Sequence, residues 1–175
     1  MMDGSRTPIK LRGIVLIFIC AGLALAFQDY PRWKKFEPPE AKFAVLMPGT
    51  PAVQTDVEES PRGKIISHSY TLNTDDAVLE VLYVDNPLLE DAQVELKSQR
   101  DTFLKDVRGT LESERKIEYQ GNPGIEFKCK SKGRIFMTRV YVVGKTVYEL
   151  VGAAFEDRVD YQLINRFLDS FDLIR

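Results

Sequence analysis

Ile125-Glu126-Phe127-Lys128-Cys129-Lys130-Ser131-Lys132-Gly133-Arg134-Ile135-Phe136-Met137-Thr138-Arg139-Val140-Tyr141-Val142-Val143-Gly144-Lys145-Thr146-Val147-Tyr148-Glu149-Leu150-Val151-Gly152-Ala153-Ala154 is the stretch that decides the fold. In its first run Ile125, Phe127 and Cys129 alternate with Glu126, Lys128 and Lys130, a period of two that gives a strand one core face and one wet face. Lys132-Gly133 and Gly144-Lys145 then punctuate β-rich runs as tight turns, so three consecutive strands pair antiparallel. The register at the second turn has two solutions. A two-residue turn sets Glu149 beside Val140 in the core. A one-residue offset, made by a bulge, places Tyr148 and Leu150 inside with Val140 and Val142 and leaves Glu149 in water beside Arg139 and Tyr141. The cost of desolvating a carboxylate favours the offset.

Working outward, Phe43 to Met47 reads as a short strand stopped by Pro48-Gly49-Thr50-Pro51, and the polar stretch Gln54 to Lys64 as a loop or ragged edge. Ile65 to Leu72 and Ala77 to Asp85 read as a hairpin. Pairing Leu72 with Ala77 puts Ile66, His68 and Tyr70 opposite Tyr83, Val81 and Leu79 on a buried face. A helix follows over about Asp91 to Arg108, with Ala92, Leu96, Phe103 and Val107 on one side, an Asp101 to Lys105 pair, and Gly109 as its stop. Leu111 to Tyr119 is the next strand, broken from Ile125 by Gln120-Gly121-Asn122-Pro123-Gly124. A closing helix from about Asp157 carries Val159, Leu163, Ile164, Phe167, Leu168 and Phe171 as an apolar stripe. Two such helices must bury their stripes against the sheet. The fold class is α+β, an antiparallel sheet of about six strands flanked by two main helices.

The N-terminus supplies an address. Arg6, Lys10 and Arg12 precede an uncharged run from Ile14 to Phe27 that contains Ala24-Leu25-Ala26. This is the grammar of a secretory signal peptide over residues 1–26, cleaved after Ala26, and the run is shorter than the roughly 20 residues a spanning helix needs. Cys20 raises the alternative of a lipidated N-terminus, but Phe18-Ile19 stand where small residues belong in such signals. Residues 27–42 form an extended lead-in rich in proline and charge, in which Trp33 and Phe36 either pin an edge strand or mark a partner surface. Residues 43–175 make a single domain. With 24 basic and 26 acidic residues the chain is mildly acidic, which argues against nucleic acid as a partner. Beyond Cys20 only Cys129 remains, so the exported chain has no internal disulfide and rests on its core.

These residues also carry a resemblance. Phe43 to Pro51, Gly121-Asn122-Pro123-Gly124-Ile125-Glu126-Phe127, Arg139 to Gly144 with Tyr148-Glu149-Leu150, and Phe167-Leu168-Asp169-Ser170-Phe171 resemble the exported PsbP-like proteins, in order along nearly the whole chain after the leader. The resemblance implies the PsbP-like fold and a non-enzymatic accessory or binding role. It does not carry over metal binding or photosystem association, because the chain has a single histidine and no histidine cluster.

The chemistry-bearing residues are few. His68 reads as a partly buried, hydrogen-bonded imidazole, and Cys129 as a buried thiol. Asp56/Glu58/Glu59 and Asp75/Asp76 lack the spacing of a calcium loop. No phosphate loop, G-x-S-x-G or zinc motif is present, and no cofactor is expected. Trp33, Arg139, Tyr141 and Tyr148 form the candidate binding surface, since aromatics with arginine are enriched in hot spots, with strand packing as their other role. The reading is an exported non-enzymatic module, periplasmic or extracellular, that binds another envelope protein or a small ligand. The alternatives are an envelope protein anchored through residues 14–27, and an enzyme using Cys129.

Overall fold

In the computed structural model the described residues are 32–60 and 63–174. The expected leader, Cys20 and the first residues of the lead-in lie outside them. Twelve elements follow in order: β1 (Lys34–Phe36), β2 (Phe43–Met47), β3 (Ala52–Ser60), β4 (Gly63–Asn73), β5 (Val78–Asp85), α1 (Ala92–Val107), β6 (Thr110–Tyr119), β7 (Asn122–Ser131), β8 (Arg134–Val143), β9 (Thr146–Phe155), α2 (Tyr161–Asp169) and β10 (Asp172–Leu173). The protein is α+β, with seven antiparallel strands in the order β3-β4-β5-β9-β8-β7-β6 and a small sheet β1-β2-β10. No helix among the described residues is long and apolar enough to cross a membrane.

Three tight turns generate the β6 to β9 meander. Gln120-Gly121 and Lys132-Gly133 both hold positive φ at each residue, the conformation whose twist matches paired strands, and Gly144 takes φ 62° ahead of Lys145. At this last turn the structure corrects the sequence-based register: Val143 pairs with Thr146, Val140 with Glu149 and Tyr141 with Tyr148, with no bulge. The offset suits a sheet with one buried face. This sheet has two. Val140, Val142 and Val147 pack beneath α1 with Leu96, Ile125 and Phe127. Tyr141, Tyr148 and Leu150 pack on the opposite face with Phe43, Tyr70, Ile164 and Phe167. A central strand buried on both sides is apolar throughout rather than alternating, and Glu149 is the exception within it.

Three other segments differ in detail from the sequence-based reading. Of the two readings of Gln54 to Lys64, loop or ragged edge, the structure gives the edge, and it is regular rather than ragged: β3 pairs with β4 from Ala52 opposite Thr71 to Ser60 opposite Gly63. It is an edge strand whose described side chains are exposed on both faces, so its composition carries no burial signal. In the next hairpin Leu72 pairs with Leu79, not Ala77, and His68 with Tyr83. The shift of two keeps every side chain on its expected face. Thr74 sets it, its hydroxyl accepting from the Ala77 N–H (2.9 Å) and donating to the Ala77 carbonyl (2.8 Å). In α1, Asp101 pairs with Arg100 at 2.6 Å rather than with Lys105, and the left-handed residue that ends the helix is Arg108 (φ 53°), not Gly109.

Both helices start on an aspartate cap. Asp91 accepts from the Gln93 and Val94 N–H groups, and Asp160 from those of Gln162 and Leu163. The second cap explains why α2 begins later than its apolar stripe suggests. α2 lies close over β9 at Gly152, where a Cβ would stand 2.3 Å from Ile164 Cγ2. On the same face β2 docks through Phe43, Val45 and Met47, and the Tyr70 hydroxyl donates to Glu40 at 2.6 Å.

Candidate functional site

The four residues singled out by sequence do not form one open surface. Tyr141 is 6% exposed and stacks on Phe171 (5.2 Å between centroids), while Tyr148 is 3% exposed among Phe43, Tyr83 and Phe171. Arg139 is held in an ionic ladder: its Nε donates to Glu126 (2.6 Å) and its Nη2 to Asp169 on α2 (2.8 Å). Arg115 donates to the other Glu126 oxygen (2.7 Å). Burial opposes ionisation of Glu126, but the two guanidinium groups outweigh it and hold the carboxyl below its ordinary range. Trp33 is half-buried, with the Arg166 guanidinium 4.6 Å from its ring.

His68 and Cys129 are also separated. His68 is half-buried, its Nδ1 2.9 Å from the Thr55 hydroxyl and its ring against Tyr70 and Tyr83. Cys129 is fully buried on the other face of the sheet, four strands away in the order β4-β5-β9-β8-β7. Burial pushes its thiol up to about 11, the opposite of what an attacking thiolate needs.

The group that stands out is one the sequence placed in water. α1 covers β7 and β8 and leaves a groove of about 200 Å³ along its other side, against β5 and β9. Glu149 lies in this groove at 5% exposure, and its Oε1 has no hydrogen-bond partner among the described residues. Glu80 from β5 and Asp106 from α1 line the same groove, with Gln99 and Thr102. Burial, followed by the charges of Glu80 and Asp106, pushes the Glu149 carboxyl up to about 8. An unpartnered buried carboxyl is costly, and such groups cluster at functional sites. The signal was present in sequence: Glu149 is the only charge between Thr146 and Phe155, and an unbulged two-residue turn at Gly144-Lys145 dictates that it face Val140.

No protein-family model matches the chain, and no curated protein matches its sequence. Among solved structures, that of cyanobacterial PsbP (CyanoP) from Synechocystis sp. PCC 6803 is similar, with a TM-score of 0.56 at 14% identity over 88% of this chain and 96% of that one. A Pseudomonas aeruginosa protein of unknown function, PA94, aligns at a TM-score of 0.35 and 10% identity over 73% of this chain and 85% of that one, and adds nothing to the assignment. The class of structure is therefore clear. The chain has a PsbP-like α+β fold.

Proposed function

We propose that this protein is an exported, non-enzymatic accessory module that works by binding. The observation that carries the reading is the groove beside α1. The charged residues around Arg139 are matched in pairs, yet among the described residues the Oε1 of one buried carboxyl, Glu149, has no partner and the residue lines a cleft. Binding sites retain such groups because the partner completes them. The PsbP-like fold supports an accessory role, and the signal-peptide grammar of residues 1–26 supports export. A thiol raised to about 11, across the sheet from the single histidine, works against an enzyme built on Cys129.

Two measurements on the exported protein test this. Intact mass after expression of the full chain in a bacterial host is expected to correspond to a product beginning at Phe27, recovered without detergent. A photo-crosslinker at Gln99 is expected to give a discrete adduct in cells that is absent when the crosslinker sits at Lys132, on the β7–β8 turn. A retained or lipid-bearing N-terminus overturns the free exported form. Absence of an adduct, or a turnover lost in Cys129→Ala, overturns the binding reading.

A further inference from the structure

We propose that the groove between α1 and strands β5 and β9 binds an alkylammonium group, with the Glu149 carboxylate as its counter-anion. This rests on the binding-module reading and names the ligand class of that site. The charged groups lining the groove are all acids: Glu149 on β9, Glu80 on β5 and Asp106 on α1. The neighbouring strand β8 sets uncharged Val140 opposite Glu149. A site of this charge attracts cations and repels anions. It is not a metal site, because among the described residues no three carboxylate, imidazole or thiolate groups converge at ligand spacing. A larger cation bearing several N–H donors suits acids that are spread apart.

The rest of the lining argues for an alkyl stem behind the charge. Leu82 and Val151 give apolar walls, and Phe103 offers a ring to the cation or its methylenes. The Gln99 amide nitrogen donates to Glu95 at 2.7 Å, which leaves its oxygen as an acceptor. A volume of about 200 Å³ is below the roughly 300 Å³ at which small-molecule sites begin, and matches a single head group with its stem. The stem can belong to a free amine or to a lysine side chain of a partner.

Binding is linked to proton release. At neutral pH the free carboxyl holds its proton, because burial and the two facing acids disfavour the charge. When the ammonium enters, the Glu149 O–H bond breaks, the proton passes to the buffer, and the carboxylate accepts an N–H from the ligand. No covalent bond forms. Affinity therefore rises with pH toward about 8, the value of the free carboxyl.

The test is an NMR titration of the ¹⁵N-labelled exported protein with n-butylammonium chloride, with n-butanol as the neutral isostere at matched ionic strength. Saturable shifts are expected at the amides of Gln99, Thr102, Glu149 and Val151 with the ammonium only. Affinity is expected to be about tenfold or more greater at pH 8.5 than at pH 6.5, since each pH unit below a carboxyl's value lowers its ionised fraction tenfold. Glu149→Gln should abolish that pH dependence. At pH 8.5, where Glu149 is already largely ionised, Asp106→Asn, on the exposed rim, should weaken binding by about two- to fivefold, as loss of one surface charge does. Tighter binding of acetyl-Gly-Lys-Gly-amide than of n-butylammonium marks a protein lysine as the source, and the reverse marks a small amine. Equal shifts with n-butanol, or a Glu149→Gln variant that retains the pH dependence, overturn the proposal. Should Glu149→Gln fail to fold, unchanged affinity in Asp106→Asn at pH 8.5 overturns it. If these arms fail while the Gln99 adduct persists, the ligand class is wrong and the binding module stands; loss of the adduct as well removes both.

Discussion

At the scale of single residues, Glu149 has the largest consequence. Its carboxyl is held near 8 in the folded chain against an ordinary 4.5, with burial as the main cause. A raised value means that the folded state binds the proton more tightly than the unfolded state. The associated stability is fully present below about 4.5 and is lost as pH rises through about 8. Glu149→Gln keeps the shape of the protonated form and removes this loss. The variant's advantage in urea unfolding is expected to be near zero at pH 4.5, to grow by roughly 1.4 kcal/mol per pH unit between the two values, and to level off above pH 8. A difference between variant and wild type that does not change with pH would mean that Glu149 is solvated in the native protein. Cys129 is the quieter counterpart. The alternation Phe127-Lys128-Cys129-Lys130 marked it as buried, and the structure agrees, with the Lys128 and Lys130 ammoniums held by Glu112 (3.2 and 3.0 Å) on the other face.

At the scale of elements, legibility followed how many surfaces an element answers to. α2 had a strong apolar stripe because it packs on one side only, and its buried Ile164, Phe167 and Leu168 are residues the stripe contains. β9 answers to two surfaces, so its residues read plainly as a strand while single-face reasoning gives the wrong register. β3 answers to neither, so its nine paired residues read equally as a loop or a ragged edge. The hairpin β4–β5 had correct faces and a register off by two, because Thr74 closes the turn with its side chain, which strand patterns do not encode. The docking of α2 is testable. Phe167 is fully buried, and Phe167→Ala is expected to cost about 3–5 kcal/mol, a large part of the roughly 5–15 kcal/mol of a whole domain. Gly152→Ala should cost about 1–3 kcal/mol from the opposite cause, a methyl group driven into Ile164. Asp169→Ala, whose side chain is 65% exposed beside Arg139, should change stability by no more than about 1 kcal/mol. Chemical denaturation of the three variants reads all of this. A wild-type midpoint for Phe167→Ala would show that α2 is an appendage and that the sheet stands without it.

At the scale of the whole domain, the sheet has a gradient of protection from its middle to its edges. β9 sits fourth of seven, hydrogen-bonded to β5 and β8, and is buried from Val147 through Ala154. The edge strands differ: β3 is exposed at every described side chain, including Val53 and Val57, and β6 is exposed from Thr110 to Lys116. Local opening needs little free energy where few apolar contacts are broken, and approaches the global value where the core must come apart. Amide hydrogen exchange should therefore be slowest in β9, β8 and β5 and faster by orders of magnitude in the amides that β3 donates to β4 and β6 donates to β7. The acidic side chains of β3, Asp56, Glu58 and Glu59, fit an edge that resists pairing with another chain by charge, as exposed edges do. Protection of β3 equal to that of β9 would contradict this gradient. It would mean that the β3 edge is covered in solution by a second copy, and that Val53 and Val57 belong to an interface.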